Sequence, residues 1–246
     1  MERYQVILGY DGTAYAGMQR QANAATIQGE FEDALRKIGW QGSSVLAAGR
    51  TDAGVHASGQ VVAFDFEWRH SLEDLCNALN ANLPLEIAVS QAQIARPDFH
   101  PRFDASARTY EYRIICQPQR DPLRERFAWR VWPQPDFDLL LACAAKLEGA
   151  HDFAAFGTPP VEGGTTTREI FSAKWRQDGD ALSFEVRANA YLYHMVRRMV
   201  HLQVEIGLGK VPLQTLDAAL SGQLEAIIQG LAPAHGLVLR SVEYPK

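Results

Sequence analysis

The chain has 246 residues and a formal net charge of −5, from 24 lysine and arginine residues against 29 aspartate and glutamate residues. Hydrophobic residues make up 47% and charged residues 22%, which is typical of a globular protein and excludes disordered and fibrous classes. No apolar stretch approaches the roughly 18 residues of a transmembrane helix, and no secretory signal is visible. The 3 cysteines form no CxxC pair. We therefore expect a cytoplasmic protein without a disulfide framework or a zinc knuckle.

The first hundred residues combine strand and helix patterns. A strand is predicted at 4–10, and Thr26 is a predicted N-cap for a helix over 27–38, because apolar residues recur there at helical spacing. The elements predicted next are strands at about 44–48 and 59–66, a helix at about 71–81 and a strand at about 86–94. A connection broken by prolines follows, and it places a domain boundary near residue 104.

The second part begins with a long strand over 105–115, whose period of two places Arg108, Tyr110, Tyr112 and Ile114 on one face. The later predicted elements are a helix at about 136–147, strands at about 168–176 and 181–189, helices at about 191–207 and 213–221, and a strand at about 237–243. This order predicts an α+β fold. We expect two similar split α/β halves, 1–104 and 105–246, with largely antiparallel sheets flanked by helices.

The loop GRTDAGVH, residues 49–56, is the first candidate for chemistry. Its glycines permit positive φ and close approach of a ligand. Between them, Arg50, Thr51 and Asp52 supply a cation, a hydroxyl and a carboxylate in a loop with a predicted strand on each side. Taken alone, the loop is explained more simply as an aspartate turn. It matches neither GxxxxGK[ST] nor GxGxxG, so binding of ATP or a dinucleotide is not predicted.

The helix over 191–207 has an apolar side and a charged side. The apolar side consists of Leu192, Met195, Val196, Met199, Leu202 and Ile206. The other side consists of His194, Arg197, Arg198, His201 and Glu205. The charged side is either a surface that faces an anion or a solvated polar face. The two histidines lie seven residues apart without the carboxylate of an HExxH site, so a metal site is not predicted.

The strand over 108–113, RTYEYR, combines basic and aromatic residues. Such a face can stack bases and bind phosphate, which favours a nucleic-acid contact. The same pattern is also that of an ordinary sheet face, where tyrosine is common. The segment alone does not decide between these two interpretations.

Five segments, in this order, resemble the tRNA pseudouridine synthase A family. They are YDGT with the following G and two Q at 10–21, GRTDAGVHASGQVVAFD at 49–65, FHPRFDASARTYEYRI at 99–114, ANAYLYHMVRRMV at 188–200 and APAHGLVL at 232–239. The resemblance extends over nearly the whole chain. The chain departs from the family pattern at Met18, Pro101, Thr109 and His201, none of which lies in the 49–56 loop.

The resemblance implies isomerisation of uridine to pseudouridine in tRNA, at nucleotides 38, 39 and 40 of the anticodon stem-loop. It implies no cofactor and no metal. It also implies a homodimer whose two subunits share one tRNA, and no membrane partner. The active-site cleft is expected between the two halves.

A single carboxylate suits this reaction, because it can stabilise a cationic sugar carbon or act as a base, and we assign that part to Asp52. Attack on the sugar, attack on the base and removal of a proton all remain open. The resemblance implies that Arg197 pairs with Asp52, that Tyr110 stacks on the flipped uracil and that Arg50 takes the place of the displaced base. The candidate phosphate contacts are Arg20, Arg102, Arg108, Arg168 and Arg198.

Three alternatives make different predictions. A non-catalytic RNA-binding protein would bind tRNA tightly without turnover, and loss of Asp52 would be nearly silent. A glycosidase that uses Asp52 with Asp11 would hydrolyse a sugar and lack RNA affinity. A purely structural α+β protein would show none of these properties. The five segments that match the family in order disfavour this alternative.

Overall fold

The computed structural model describes residues 1–224 and 227–245. The chain divides into two compact units, Met1–Ser106 with Val238–Lys246, and Ala107–Leu237. Each unit combines β-strands with α-helices, which confirms the predicted α+β class. The residues from Val238 onward return to the first unit, a return that a single boundary near 104 does not describe. Over the described ranges, the helices are too short or too polar to cross a membrane.

The first unit is built on a mainly antiparallel sheet. Its strands are β1 (Glu2–Tyr10), β2 (Leu46–Ala47), β3 (His56–Phe66) and β4 (Ile87–Ile94), joined by the last strand of the chain, β10 (Leu237–Glu243). The order is β4-β1-β3-β10, and β2 also pairs with β3. β1 is antiparallel to both neighbours, whereas β10 runs parallel to β3 with Val238 opposite His56.

Two capped helices complete this unit, α1 (Ile27–Lys37) and α2 (Leu72–Asn80). The Thr26 hydroxyl accepts a hydrogen bond from the Gly29 N–H at 3.2 Å, which confirms the predicted N-cap. α2 begins with a capping box between Ser71 and Asp74. Side chains on one face of α1 are fully buried and contribute to the core of the unit: Ile27, Phe31, Ala34 and Leu35.

In the second unit, neighbouring strands are antiparallel in the order β5-β9-β8-β7. Its strands are β5 (Ala107–Ile115), β6 (Trp129–Arg130), β7 (Gly149–Asp152), β8 (Thr167–Asp178) and β9 (Ala181–Ala188). Its helices are α3 (Phe137–Leu147), α4 (Met195–Gly207) and α5 (Gln214–Leu220). The short strand β6 extends the sheet in parallel beside β5. α3 packs against both β8 and α4.

The predicted faces of β5 and α4 are confirmed. Tyr110, Tyr112 and Ile114 are buried on one side of β5, while Arg108 is half-buried at its start. All six apolar residues predicted for one side of α4 are buried, and the five residues of the charged side are half-buried. The periodicity therefore identified which side of each element packs inward.

The observed elements differ from the predicted ones in their bounds and in two additional short strands. α4 begins at Met195 rather than 191, because His194 has φ 65° and a left-handed residue cannot belong to a right-handed helix. β3 begins at His56, three residues before the predicted start. The strands β6 and β7 were not predicted, since runs of 2 and 4 residues are too short to show a period.

Candidate active site

The loop that carries Asp52 contains a tight turn. The Val55 N–H donates to the Asp52 carbonyl at 3.1 Å, and Gly54, the third residue of the turn, has φ 78°. A turn with positive φ at this position is of type II, which explains why a glycine stands there. The Asp52 side chain is half-buried and Arg50 is exposed. The turn thus holds the backbone of the carboxylate residue in one conformation while its side chain keeps access to solvent.

Three buried polar side chains anchor the loop from below. The hydroxyls of Tyr10 and Thr51 lie 2.8 Å apart. The Gln60 side-chain amide donates to the Gly49 carbonyl at 3.0 Å and reaches the Tyr10 hydroxyl at 3.5 Å. Tyr10, Thr51 and Gln60 are at most 6% exposed. Because strand β1 supplies Tyr10 and strand β3 supplies Gln60, the sheet itself fixes the loop on both sides of Arg50.

A second anchor comes from the segment that follows β1. The Met18 N–H donates to the Thr51 carbonyl at 3.0 Å, and the Gly54 N–H donates to the Tyr15 carbonyl at 3.3 Å. Gly17 has φ 101°, and a Cβ atom there would lie 2.6 Å from the Thr51 carbonyl oxygen. The two segments therefore pack backbone against backbone beside Asp52, which leaves no room for a side chain at residue 17.

The end of the loop is fixed through His56. Its Nδ1 accepts a hydrogen bond from the Gly12 N–H at 3.0 Å. Asp11 Oδ1 lies 3.1 Å from the same nitrogen, but it already accepts from the Thr13 N–H and the Thr13 hydroxyl. Asp11 therefore has a local structural role as the acceptor of a turn. This role disfavours the two-carboxylate glycosidase.

In the second unit, Tyr110 packs edge-on against Tyr191, with ring centroids 5.0 Å apart and an interplanar angle of 87°. The Tyr191 hydroxyl lies 2.9 Å from the Val186 carbonyl and 3.1 Å from the Arg108 carbonyl. Burial raises the pKa of Tyr191 well above its usual value, so the hydroxyl remains a donor. Tyr191 thus fixes one edge of the Tyr110 ring.

The segment Ala232–Gly236 connects Arg197 with strand β5. Arg197 Nε donates to the Ala232 carbonyl at 2.8 Å, and the Ala232 N–H donates to the Arg197 carbonyl at 3.2 Å. The Tyr112 hydroxyl donates to the adjacent Pro233 carbonyl at 2.7 Å. The APAHGL segment therefore orients the Arg197 guanidinium from one side.

The candidate phosphate contacts have different surroundings. Arg20 Nη1 forms an ion pair at 2.5 Å with Glu32, which is fully buried, and this gives Arg20 a structural task. The Arg102 guanidinium lies 5.6 Å from the ring centre of Phe103, an exposed phenylalanine. Arg50 has no hydrogen-bond or ion-pair partner in the described part of the chain.

The other three candidates lie in the second unit. Arg108 Nη1 donates to the Asn189 carbonyl at 3.0 Å, and Arg198 Nη1 donates to the Phe156 carbonyl at 3.2 Å. Arg168 is buried.

The candidate site residues fall into two groups. Arg20, Arg50, Asp52 and Arg102 belong to the first unit, and Arg108, Tyr110, Arg168, Arg197 and Arg198 to the second. Sequence reasoning missed the supporting residues Gln60 and Tyr191. Gln60 offered a signal, because this polar residue stands directly before the apolar run VVAF of β3. Residues 1–224 and 227–245 contain no cluster of three His, Cys, Asp or Glu residues that could hold a metal ion.

Comparison with known proteins gives consistent results. Residues 6–104 and 143–245 match a family model described as tRNA pseudouridine synthase. The chain is 39% identical over 246 residues to tRNA pseudouridine synthase A of Shouchella clausii, covering 99% of this chain and 94% of the relative. It is 37% identical to the protein of that name from Geobacter sp. strain M21, over 100% of both chains. Its identity to the Moorella thermoacetica protein is 38%, over 98% of each.

Proposed function

Because the chain belongs to the tRNA pseudouridine synthase family, an isomerase family, we propose that it acts at nucleotides 38, 39 and 40 of the anticodon stem-loop. We further propose Asp52 as the essential carboxylate. The reaction breaks the N1–C1′ bond of uridine, turns the base and forms a C5–C1′ bond. C5 loses a proton and N1 gains one, so no group enters or leaves.

The immobilised loop around Asp52 carries this proposal. Hydrogen bonds fix the backbone at Gly49, Thr51 and Gly54, while the carboxylate of Asp52 remains half-buried. A catalytic group must be held within a fraction of an ångström of its productive position, which a loop fixed by buried hydrogen bonds achieves. Partial burial also strengthens the interaction of the carboxylate with a cationic sugar carbon.

For the remaining residues we propose the roles that the resemblance implies. Arg197 is the cation that pairs with the essential carboxylate of Asp52. Tyr110 stacks on the flipped uracil and relays the C5 proton. Arg50 fills the space of the displaced base, a role that suits an exposed arginine without a partner in the described residues. The partner is a tRNA bound by a homodimer in the cytoplasm.

The experiment that tests the function is tritium release from tRNA that carries [5-³H]uridine, without added ATP or metal. We expect release with the wild-type protein and none with Asp52→Asn, while tRNA binding is retained. The matched control is Asp33→Asn, because Asp33 is an exposed carboxylate of the same unit, paired with Arg36 on α1. tRNA binding without release by the wild type would favour a non-catalytic RNA-binding protein.

Substrates that retain a single uridine, at nucleotide 38, 39 or 40, test the proposed positions. Release from each of the three substrates is the expected result. Release from tRNA that carries all of its uridines, without release from any of the three single-uridine substrates, would leave the isomerase activity intact and overturn the assignment of the positions. A log–log plot of tRNA affinity against salt should be steep if several arginines contact phosphates.

A further inference from the structure

Arg168 is the only buried arginine in the described part of the chain, with 8% of its surface exposed. It is the second residue of β8, on the same side of the strand as the buried Ile170. Its Nη1 donates to the carbonyl oxygens of Thr165 and Thr167, at 2.9 and 2.6 Å. Its Nε has no hydrogen-bond partner, a property shared by no other buried side-chain nitrogen or oxygen between residues 1 and 224 or 227 and 245.

In the part of the chain that the structure describes, the charge of Arg168 also has no counter-charge. The pKa of its guanidinium is lowered, and burial is the cause. A buried charge is usually paired with an opposite charge. Glu32, the buried carboxylate of the first unit, is an example, because it forms ion pairs with Arg20 and Arg36. Among the described residues, no carboxylate forms an ion pair with Arg168. An ordered water could satisfy Nε, but it would leave the positive charge without a counter-charge.

A buried cation at this position destabilises the folded state, because burial removes the charge from water. An apolar residue beside Ile170 would pack without this desolvation penalty. Buried unsatisfied groups in native proteins call for an explanation such as a ligand. A phosphate group supplies both missing elements, a negative charge and acceptor oxygens that match the planar guanidinium. The side chains of Thr165 and Thr167 are exposed next to Arg168 and offer hydroxyl donors to the same anion.

We propose that Arg168 is a phosphate-binding site that takes a phosphodiester of the tRNA backbone, whose negative charge supplies the counter-charge that the guanidinium lacks among the described residues. This rests on the proposed function, in which tRNA is the substrate. The proposal assigns a phosphate to Arg168 and not to Arg20, because the charge of Arg20 is already paired with Glu32. The site contributes to RNA affinity and to the position of the RNA, and it takes no part in the chemical step.

The test compares Arg168→Met with Arg176→Met. Arg176 lies on the same strand, but its side chain is 67% exposed and lies 3.6 Å from Glu185. For Arg168→Met we expect the Kd for tRNA to rise roughly 10- to 100-fold, the loss typical of a charged hydrogen bond. The log–log salt slope should fall by about 1, and the Tm of the RNA-free protein should be unchanged or raised. Arg176→Met should bind tRNA as the wild type does.

An unchanged Kd in Arg168→Met overturns the proposal. A lowered Tm with unchanged affinity also overturns it, because Arg168 would then be structural only. If both Tm and affinity fall, NMR on the wild-type protein decides. The Arg168 Nε–H resonance, assigned by its loss in Arg168→Lys, must move when an RNA stem-loop is added, and a resonance that does not move contradicts the proposal.

The same NMR experiment with inorganic phosphate distinguishes the source of the anion. A response to inorganic phosphate without a response to RNA would identify a site for a free anion and overturn the tRNA assignment. Tritium release by the wild-type protein distinguishes a failure of the proposed function from a failure of the phosphate site at Arg168. Absence of release from wild type is a failure of the proposed function, whereas normal release and unchanged binding by Arg168→Met is a failure of this site alone.

Discussion

The hydroxyl of Tyr10 lies 2.8 Å from the hydroxyl of Thr51, the residue immediately before Asp52, and both side chains are buried. Tyr10 ends strand β1, whose partner in the sheet is β3. This hydrogen bond therefore connects the sheet to the residue that is covalently bonded to the candidate catalytic residue. Removal of this hydrogen bond leaves a buried hydroxyl of Thr51 with one partner fewer.

Tyr10→Phe is expected to lower the free energy of unfolding by about 1–3 kcal/mol, the penalty for leaving a buried polar group unsatisfied. It should also lower kcat more than it raises KM, because the loop that carries Asp52 loses one of its supports. Urea denaturation and steady-state tritium release measure the two effects. The matched control is Tyr4→Phe on the same strand, since Tyr4 donates to Glu2, which is exposed. Equal effects of the two variants would refute a special role for Tyr10.

The same phenol predicts a pH dependence of stability. Burial raises the pKa of Tyr10 to about 12, above its ordinary value of 10.0. A raised folded-state pKa means that the folded protein holds this proton more tightly than the unfolded chain does. The stabilisation that the protonated Tyr10 phenol contributes is therefore fully present below pH 10. It is lost as the pH rises toward 12, at up to about 1.4 kcal/mol per pH unit.

Denaturation of wild type and Tyr10→Phe between pH 8 and 12 tests this dependence. The difference in unfolding free energy between the two proteins should be constant below about pH 10 and shrink above it. A difference that stays constant up to pH 12 would show that Tyr10 titrates normally. Tyr4, whose pKa is also raised to about 12, is present in both proteins and cancels in the comparison.

Gly17 and Gly39 offer a controlled comparison of backbone strain and steric contact. Their φ angles are 101° and 102°, but a Cβ atom on Gly17 would meet the Thr51 carbonyl at 2.6 Å, whereas one on Gly39 would meet nothing within 4 Å. Gly39→Ala is expected to cost about 1 kcal/mol through the left-handed backbone alone. Gly17→Ala should cost more and should also reduce turnover, because it displaces Thr51 and with it Asp52. Identical losses of stability and activity in the two variants would exclude this contact as a determinant of the loop.

Much of the fold could be predicted because local rules and tertiary packing agree. Thr26 caps α1 as predicted, and the apolar side of α4 is buried as predicted. The predictions failed where one residue overrides a pattern, as the left-handed His194 does at the start of α4. The support of the candidate site by Gln60 depends on a partner at Gly49, eleven residues away, and on burial. A sequence period does not report such a contact, because it records which side of a strand is apolar and not what a polar exception binds.

The candidate residues follow from the chemistry of their side chains and from the resemblance, and their surroundings show how unequal they are. A sequence presents Arg20, Arg50 and Arg168 as three similar cations. In the structure, Arg20 is paired with a buried carboxylate and Arg50 is exposed, whereas Arg168 is buried and has no counter-charge within the described residues. These differences arise from packing between distant segments, so arginine counts and motif positions could not reveal them.

Tyr191 is expected to act on Tyr110 through its ring more than through its hydroxyl. Tyr191→Phe keeps the edge-on contact with Tyr110 and should retain turnover within a few-fold, at a cost of about 1 kcal/mol for the lost hydrogen bond. Tyr191→Leu removes the aromatic contact, worth about 0.5–1.5 kcal/mol beyond burial, and should reduce kcat further. Tyr193→Leu, at an exposed position, is the control. If Tyr191→Leu matches wild type in kcat, Tyr110 does not depend on this contact.

Arg20 and Glu32 provide a test that separates a structural arginine from an RNA-binding one. Glu32 is fully buried and receives hydrogen bonds from Arg20, Gln28 and the Val45 N–H. Arg20→Met leaves this carboxylate with Arg36 alone as its cation, at 3.4 Å. We expect a loss of about 1–3 kcal/mol in unfolding free energy, since a hydrogen bond to a charged group disappears.

The tRNA affinity of Arg20→Met should change little at a temperature where the variant is folded, because the charge that is removed is already paired with Glu32. The double variant Arg20→Met with Glu32→Gln should recover part of the lost stability, since the buried charge is removed along with its partner. Fluorescence-monitored denaturation and a tRNA titration measure both quantities. A large loss of tRNA affinity with unchanged stability would reverse the assignment and make Arg20 a phosphate contact.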